Sequence, residues 1–174
     1  GHVPVPAAPA RPAEAAGKPG DPVPAVTLLD QDGRPLELTS LYDDLAGTGQ
    51  RPTTSVLEFT EVASTPEVAR HLKVTDGSPV VRIVRIRSAR GNPIAKMTNY
   101  LPADIVGFSQ EELEAGGLYD LMRRGGIYLF SATQVVGARS ATSEEASLLG
   151  EPRGAALLTM ERDTMDEGGR IVEF

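Results

Sequence analysis

The chain has 174 residues, 40% hydrophobic and 24% charged, with 17 basic against 24 acidic side chains and a net charge of -7. A chain this long hides roughly 70% of its unfolded surface, enough for one self-supporting core, and zero cysteines exclude thiolate metal sites, disulfide scaffolds and cysteine nucleophiles. The acidic balance opposes direct attachment to nucleic-acid phosphates, and no apolar run approaches the roughly 18 residues that cross a bilayer.

Seven of the 14 prolines fall within residues 1–24, interleaved with alanine, and the charges there cancel (Arg11 and Lys18 against Glu14 and Asp21). Such a stretch favours extended polyproline geometry and reads as a linker. Residues 26–38 read as a small hairpin around Gln31-Asp32-Gly33. Asp30, Asp32 and Gly33 resemble the opening of a calcium loop, but its twelfth position is Leu41 rather than glutamate, so a plain turn is expected and no metal. A short helix is predicted from Ser40 to Leu45, with Ser40 as its cap.

A strand is predicted from Thr53 to Val62, then a helix opened by Thr65-Pro66-Glu67 and carrying Val68, Ala69 and Leu72. PVVRIVRIRS and IAKMTNYL, joined by Arg90-Gly91-Asn92-Pro93, read as a long antiparallel hairpin at the centre of the sheet. Capping boxes at Ser109 and Thr142 open two more helices, with LYDLMRR between them stopped by Gly125-Gly126. A third long strand spans Ile127 to Ala138, and Ala155–Thr164 with Arg170–Phe174 form a last hairpin. Hairpins dominate, so the class is α+β, an antiparallel sheet flanked by short helices.

No phosphate-loop, dinucleotide, nucleophile-elbow or zinc-protease signature occurs. His2 and His71 are the only histidines, too few for a triad or a histidine-rich metal centre, and His71 reads as a helix-surface residue. Arg85 and Arg87, two apart on a strand, project to one face roughly 7 Å apart together with Val81 and Ile83. Two guanidinium forks on one apolar face make an anion clamp, since each binds carboxylate or phosphate bidentately. The alternative is a solvated strand face paired with acids across the hairpin. Tyr42 and Tyr119, on short helices, read as sheet-covering residues, and Glu161 with Asp163 as a weak carboxylate pair.

From about Leu38 to Phe174 the stations LTSLYDDLAGTGQRPTTSVL, STPEVARHLKV, VVRIVRIRSARGNPIAKMTNYLP, GGLYDLM, SATSEEASLLG and GAALLTMERDTMDEGGRIVEF together resemble the UTRA effector-binding domain of GntR-type bacterial transcription regulators, HutC subfamily. The resemblance implies a chorismate-lyase-like fold and a small-molecule sensor that follows an N-terminal winged helix-turn-helix and works as a homodimer in the cytoplasm. Residues 1–24 would then be the interdomain linker and 25–174 the effector domain without its final strand. Nothing in this chain matches the DNA-binding domain, so operator DNA would be met only through that separate unit.

The same resemblance implies that Arg85 and Arg87 hold the effector's anion, with Tyr119 beside it and Tyr42 at a hydroxyl position. Met97 and Gly117 stand where sugar-sensing members carry a glutamate and a serine. Without those hydroxyl readers the expected effector is anionic, less sugar-like and more apolar, with Met97 lining its body. No catalytic residue, metal, cofactor or membrane partner is expected. Two alternatives stand beside this reading: a ligand-free dimerisation module, and a chorismate-lyase-like enzyme, although a fold by itself carries no activity.

Overall fold

The computed structural model describes residues 51–174 together with Leu41, Leu45, Gly47 and Gly49. Leu41 and Leu45 are helical, as expected for the short helix, while Tyr42, the 26–38 hairpin and the 1–24 linker lie outside the described residues. In chain order the elements are β1 (Pro52–Ala63), α1 (Pro66–Leu72), β2 (Pro79–Ala89), β3 (Asn92–Pro102), a 3-10 turn (Ala103–Ile105), α2 (Gln110–Ala115), α3 (Leu118–Arg124), β4 (Leu129–Ser140), α4 (Ser143–Leu149), β5 (Ala156–Asp166) and β6 (Ile171–Glu173).

The strands form two antiparallel ladders, β1-β2-β3 and β4-β5-β6. Tyr100 and Phe174 join them by exchanging both backbone hydrogen bonds, N to O at 2.7 and 3.0 Å. The α+β class therefore holds: β2 is the middle strand of the first ladder, and β3 is the side by which that ladder meets the second. β2 turns into β3 through Arg90 and Gly91, whose φ values of 52° and 83° suit a two-residue turn with positive φ at both positions.

Two irregularities change which residues face each other. Val56 pairs with Arg85 and Glu58 with Val84, so Leu57 is an extra residue in β1. Arg87 pairs with Ala95 and Ser88 with Pro93, so Ile94 is an extra residue in β3. Both extra side chains are large, apolar and exposed, as bulges turned away from a covered face produce. β4 begins two residues later than predicted because Ile127 N still bonds Met122 O at 2.9 Å, holding it in the turn that closes α3.

One face of the joined sheets carries α2 and α3 over Val81, Ile83 and Leu101, sealed by Leu113, Leu118 and Met122. The opposite face carries α1, whose Val68 and Leu72 pack with Val80 and Ile171 across the junction. His71 is not a plain surface residue: its ring lies 3.8 Å from and nearly parallel to Phe174, and its Nδ1 is 2.8 Å from Asp163 Oδ1. That bond accounts for Asp163, while Glu161 is exposed and has no ion-pair partner among the described residues, so the two do not act as a pair.

The short helices rely on their caps, because a helix of six or seven residues is marginal by itself. Both predicted capping boxes are present, Ser109 with Glu112 and Thr142 with Glu145. Arg139 grips Glu145 through two bonds of 2.7 Å, and this contact, with the cap's backbone N–H, holds the carboxyl far below its ordinary range. Thr142→Ala should therefore lower stability by about 1 kcal/mol; a urea unfolding midpoint unchanged from the parent protein would show that α4 does not depend on its cap.

Candidate functional site

Arg85 and Arg87 stand on β2, on the face shared with Val81 and Ile83, as the period of two predicts. The solvated alternative is overturned, because their exposures are 3% and 2%. β2 is flanked on both sides, and its neighbours supply neutral oxygens rather than acids. Arg87 Nη1 donates to Thr54 Oγ1, and Arg85 Nη2 donates to Asn99 Oδ1 at 2.7 Å. Thr54 is in register with Arg87, while Asn99 is one residue pair away from Arg85 on the same face.

Among the described residues, a negative charge acting on Arg85 comes from the other ladder. Glu173, on β6 and 4% exposed, accepts at Oε1 from Asn99 Nδ2 at 2.6 Å and at Oε2 from Tyr119 Oη at 2.8 Å and Thr164 Oγ1 at 2.9 Å. Asn99 thus bridges a buried cation and a buried anion, donating to one and accepting from the other, as a single amide can. Tyr119 Oη in turn accepts from Arg162 Nη1 at 3.2 Å. Arg162 Nε and Nη2 converge on Gln134 Oε1 at 2.9 and 2.7 Å. A chain of polar contacts therefore runs from Arg85 in the first ladder to Gln134 in the second.

Burial lowers the pKa of Arg85 to about 10; the Glu173 charge opposes this and the neighbouring Arg87 adds to it. Burial likewise pushes the Tyr119 phenol up to about 12, helped by the Glu173 charge and opposed by its bonds with Thr164 and Arg162. At neutral pH both groups keep their protons. The Nε and Nη1 atoms of Arg85 are buried without a hydrogen-bond partner among the described residues. An orphaned buried donor costs about 1–3 kcal/mol, more when charged, so these atoms are where an acceptor would be rewarded. Glu173, already accepting three bonds, is committed as an acceptor and does not resemble a free general base.

Of the residues singled out from sequence, Arg85, Arg87 and Tyr119 are drawn into one buried cluster. Met97, half-buried, is the register partner of Arg85 and so shares its face. Gly117 is buried at the N-cap of α3, two residues before Tyr119. Tyr42 lies outside the described residues. Glu173, Asn99, Thr164 and Arg162 escaped the sequence reading. Asn99 was accessible in principle, since it shares the Met97 face two residues on; an acid between Val172 and Phe174 in a short apolar strand was the one sign of Glu173.

Removing the carboxylate should orphan three donors together, so Glu173→Leu should cost about 3 kcal/mol or more in a urea melt; a cost below about 1 kcal/mol would exclude Glu173 as the counter-charge of this cluster. With a pKa near 12 the phenol should be only about a tenth ionised near pH 11. The tyrosinate absorbance of the parent and of Tyr119→Phe should then coincide up to about pH 11, and a full tyrosine's difference below that would contradict the burial.

Comparison with known proteins gives the family of the chain. The UTRA domain profile matches residues 47–174. The chain is 30% identical over 137 residues to the HTH-type transcriptional repressor NagR of Bacillus subtilis, covering 78% of this chain and 56% of NagR. A Streptomyces coelicolor protein crystallised as a candidate transcriptional regulator is 54% identical, with a TM-score of 0.68 over 72% of this chain and 83% of that one. The ligand-binding domain of a candidate GntR-family regulator from Bordetella bronchiseptica is 30% identical, with a TM-score of 0.66 over 70% and 79%. The chain spans about half the length of the curated relatives it matches.

Proposed function

The chain belongs to the UTRA domain family, and from that premise we propose that it is the effector-sensing part of a GntR-type, HutC-like transcription regulator, binding a small anion between Arg85 and Arg87. The observation that carries the reading is the pair of unpartnered Arg85 nitrogens beside a second buried guanidinium. A structural arginine would have those donors matched; a receptor leaves them for its ligand. The ligand group is a pure acceptor, a carboxylate or phosphate, since the nearby acceptors Glu173 and Asn99 are already engaged. Met97 and Gly117 line a site with little to bond sugar hydroxyls, so the body of the effector is apolar; the family resemblance adds Tyr42 as a candidate ligand residue. Tyr119 flanks the anion and would have to release Glu173 to donate to it.

In the whole regulator, residues 1–24 link this domain, 25–174, to a winged helix-turn-helix carried on another part of the protein, within a cytoplasmic homodimer. Effector binding favours one arrangement of the dimer and so biases operator binding, which requires different affinities for two states; such coupling is commonly 1–3 kcal/mol. NagR is a repressor by name, and we assign the same kind of output here. We read the domain as a sensor rather than an enzyme because Glu173, the one buried carboxylate among the described residues, is saturated with donors. A second reading, a docking module without ligand, draws on the 2–3% exposure of the two arginines, which leaves no open path to them in this conformation.

One experiment separates the two. Carboxylate and phosphate metabolites screened by thermal shift should give at least one hit, and a ligand at 100 times its Kd should add about 2.7 kcal/mol. Arg85→Ala should erase that shift while the protein still unfolds cooperatively. A flat screen of the folded parent protein would favour the docking module, and a hit retained in Arg85→Ala would dismiss the clamp.

A further inference from the structure

We propose that Arg162 is a positioning residue of this anion site, which fixes the direction of the Tyr119 hydroxyl; the inference rests on the effector reading above. A guanidinium has only donors, so Tyr119 Oη must accept from Arg162 Nη1. The phenol then has one hydrogen to give, and it goes to Glu173 Oε2 at 2.8 Å rather than to Thr164 Oγ1 at 3.4 Å. The rest of the chain runs in the same sense, because the Glu173 carboxylate can only accept and Arg85 can only donate. Arg162 donates to Tyr119, Tyr119 to Glu173, Asn99 to Glu173, and Arg85 to Asn99.

With this order set, Glu173 draws Tyr119 and Asn99 toward itself, and Arg85 keeps two N–H groups for an incoming acceptor. Arg162 is itself held, because Nε and Nη2 share Gln134 Oε1 and the two residues are register partners on β5 and β4. Without Arg162 the phenol oxygen would lose a charged donor and could turn toward Thr164. Glu173 would then lose one of its three donors and have greater freedom to approach Arg85, competing with the anion.

The test uses protein labelled with carbon-13 at tyrosine Cζ, with the Tyr119 signal assigned from Tyr119→Phe and inorganic phosphate as the probe. Arg162→Gln should move the Tyr119 resonance in the absence of any ligand and weaken phosphate binding by about tenfold. Arg162→Lys, which still offers one charged donor, should restore most of both. An unmoved resonance overturns the proposal, and so does a moved resonance with unchanged phosphate affinity, which would leave Arg162 a structural contact. If the parent protein takes up no phosphate, the phosphate arm of the effector reading fails, while the resonance still decides on Arg162. Should Arg162→Gln not fold, Gln134→Ala releases the other edge of the guanidinium and must move the same signal.

Discussion

Placing two guanidinium groups two residues apart on the middle strand of a ladder, both almost wholly out of water, is the constraint around which this domain is arranged. Neither charge can be discarded, since arginine holds its proton even where burial works against it. The first ladder answers with neutral oxygens from Thr54 and Asn99 and supplies no carboxylate to the pair. Among the described residues, the charge that offsets burial at Arg85 is that of Glu173, which Asn99 links to it. The tertiary fold is thus required to bring β6 beside β3, and the Tyr100 and Phe174 backbone pair keeps it there.

The two sides of the junction do different work. On one side α2 and α3 close an apolar core that merges into the polar cluster, with Tyr119 belonging to both. On the other side α1 braces the seam with Val68 and Leu72, and His71 stacks on Phe174 while holding Asp163 of β5. Successive residues Glu173 and Phe174 serve opposite faces, so one short segment joins the polar network to the brace.

Much of this was legible in the sequence, for reasons that can be named. Capping boxes at Ser109 and Thr142, the Thr65-Pro66 start and the Arg90-Gly91 turn are local chemistry, and each appears where its residues predicted. Arg85 and Arg87 fell on one face because a period of two needs no partner to be read. What failed was long-range. Glu173 reaches Asn99 across 74 residues and Tyr119 across 54, and no window of sequence contains both ends. His71 looked like a surface residue because its ring partner is the last residue of the chain.

The extra residue Leu57 sets the phase of everything before it in β1. Phe59 and Val81's neighbour Ile83 share the arginine face in register, and regular alternation backward from Phe59 would put Leu57 and Ser55 on that face. The bulge hands those places to Val56 and Thr54 instead, and so gives Arg87 its hydroxyl partner. The lining of the arginine face is written partly in a count of residues rather than in their identities. A sister chain with the same two arginines but one residue fewer between Val56 and Phe59, paired without a bulge, keeps Val56 and Thr54 inward; one with the same count and no bulge presents a leucine and a serine instead. Diversification of such domains can therefore proceed by insertion and deletion at an edge strand, leaving the charged centre untouched.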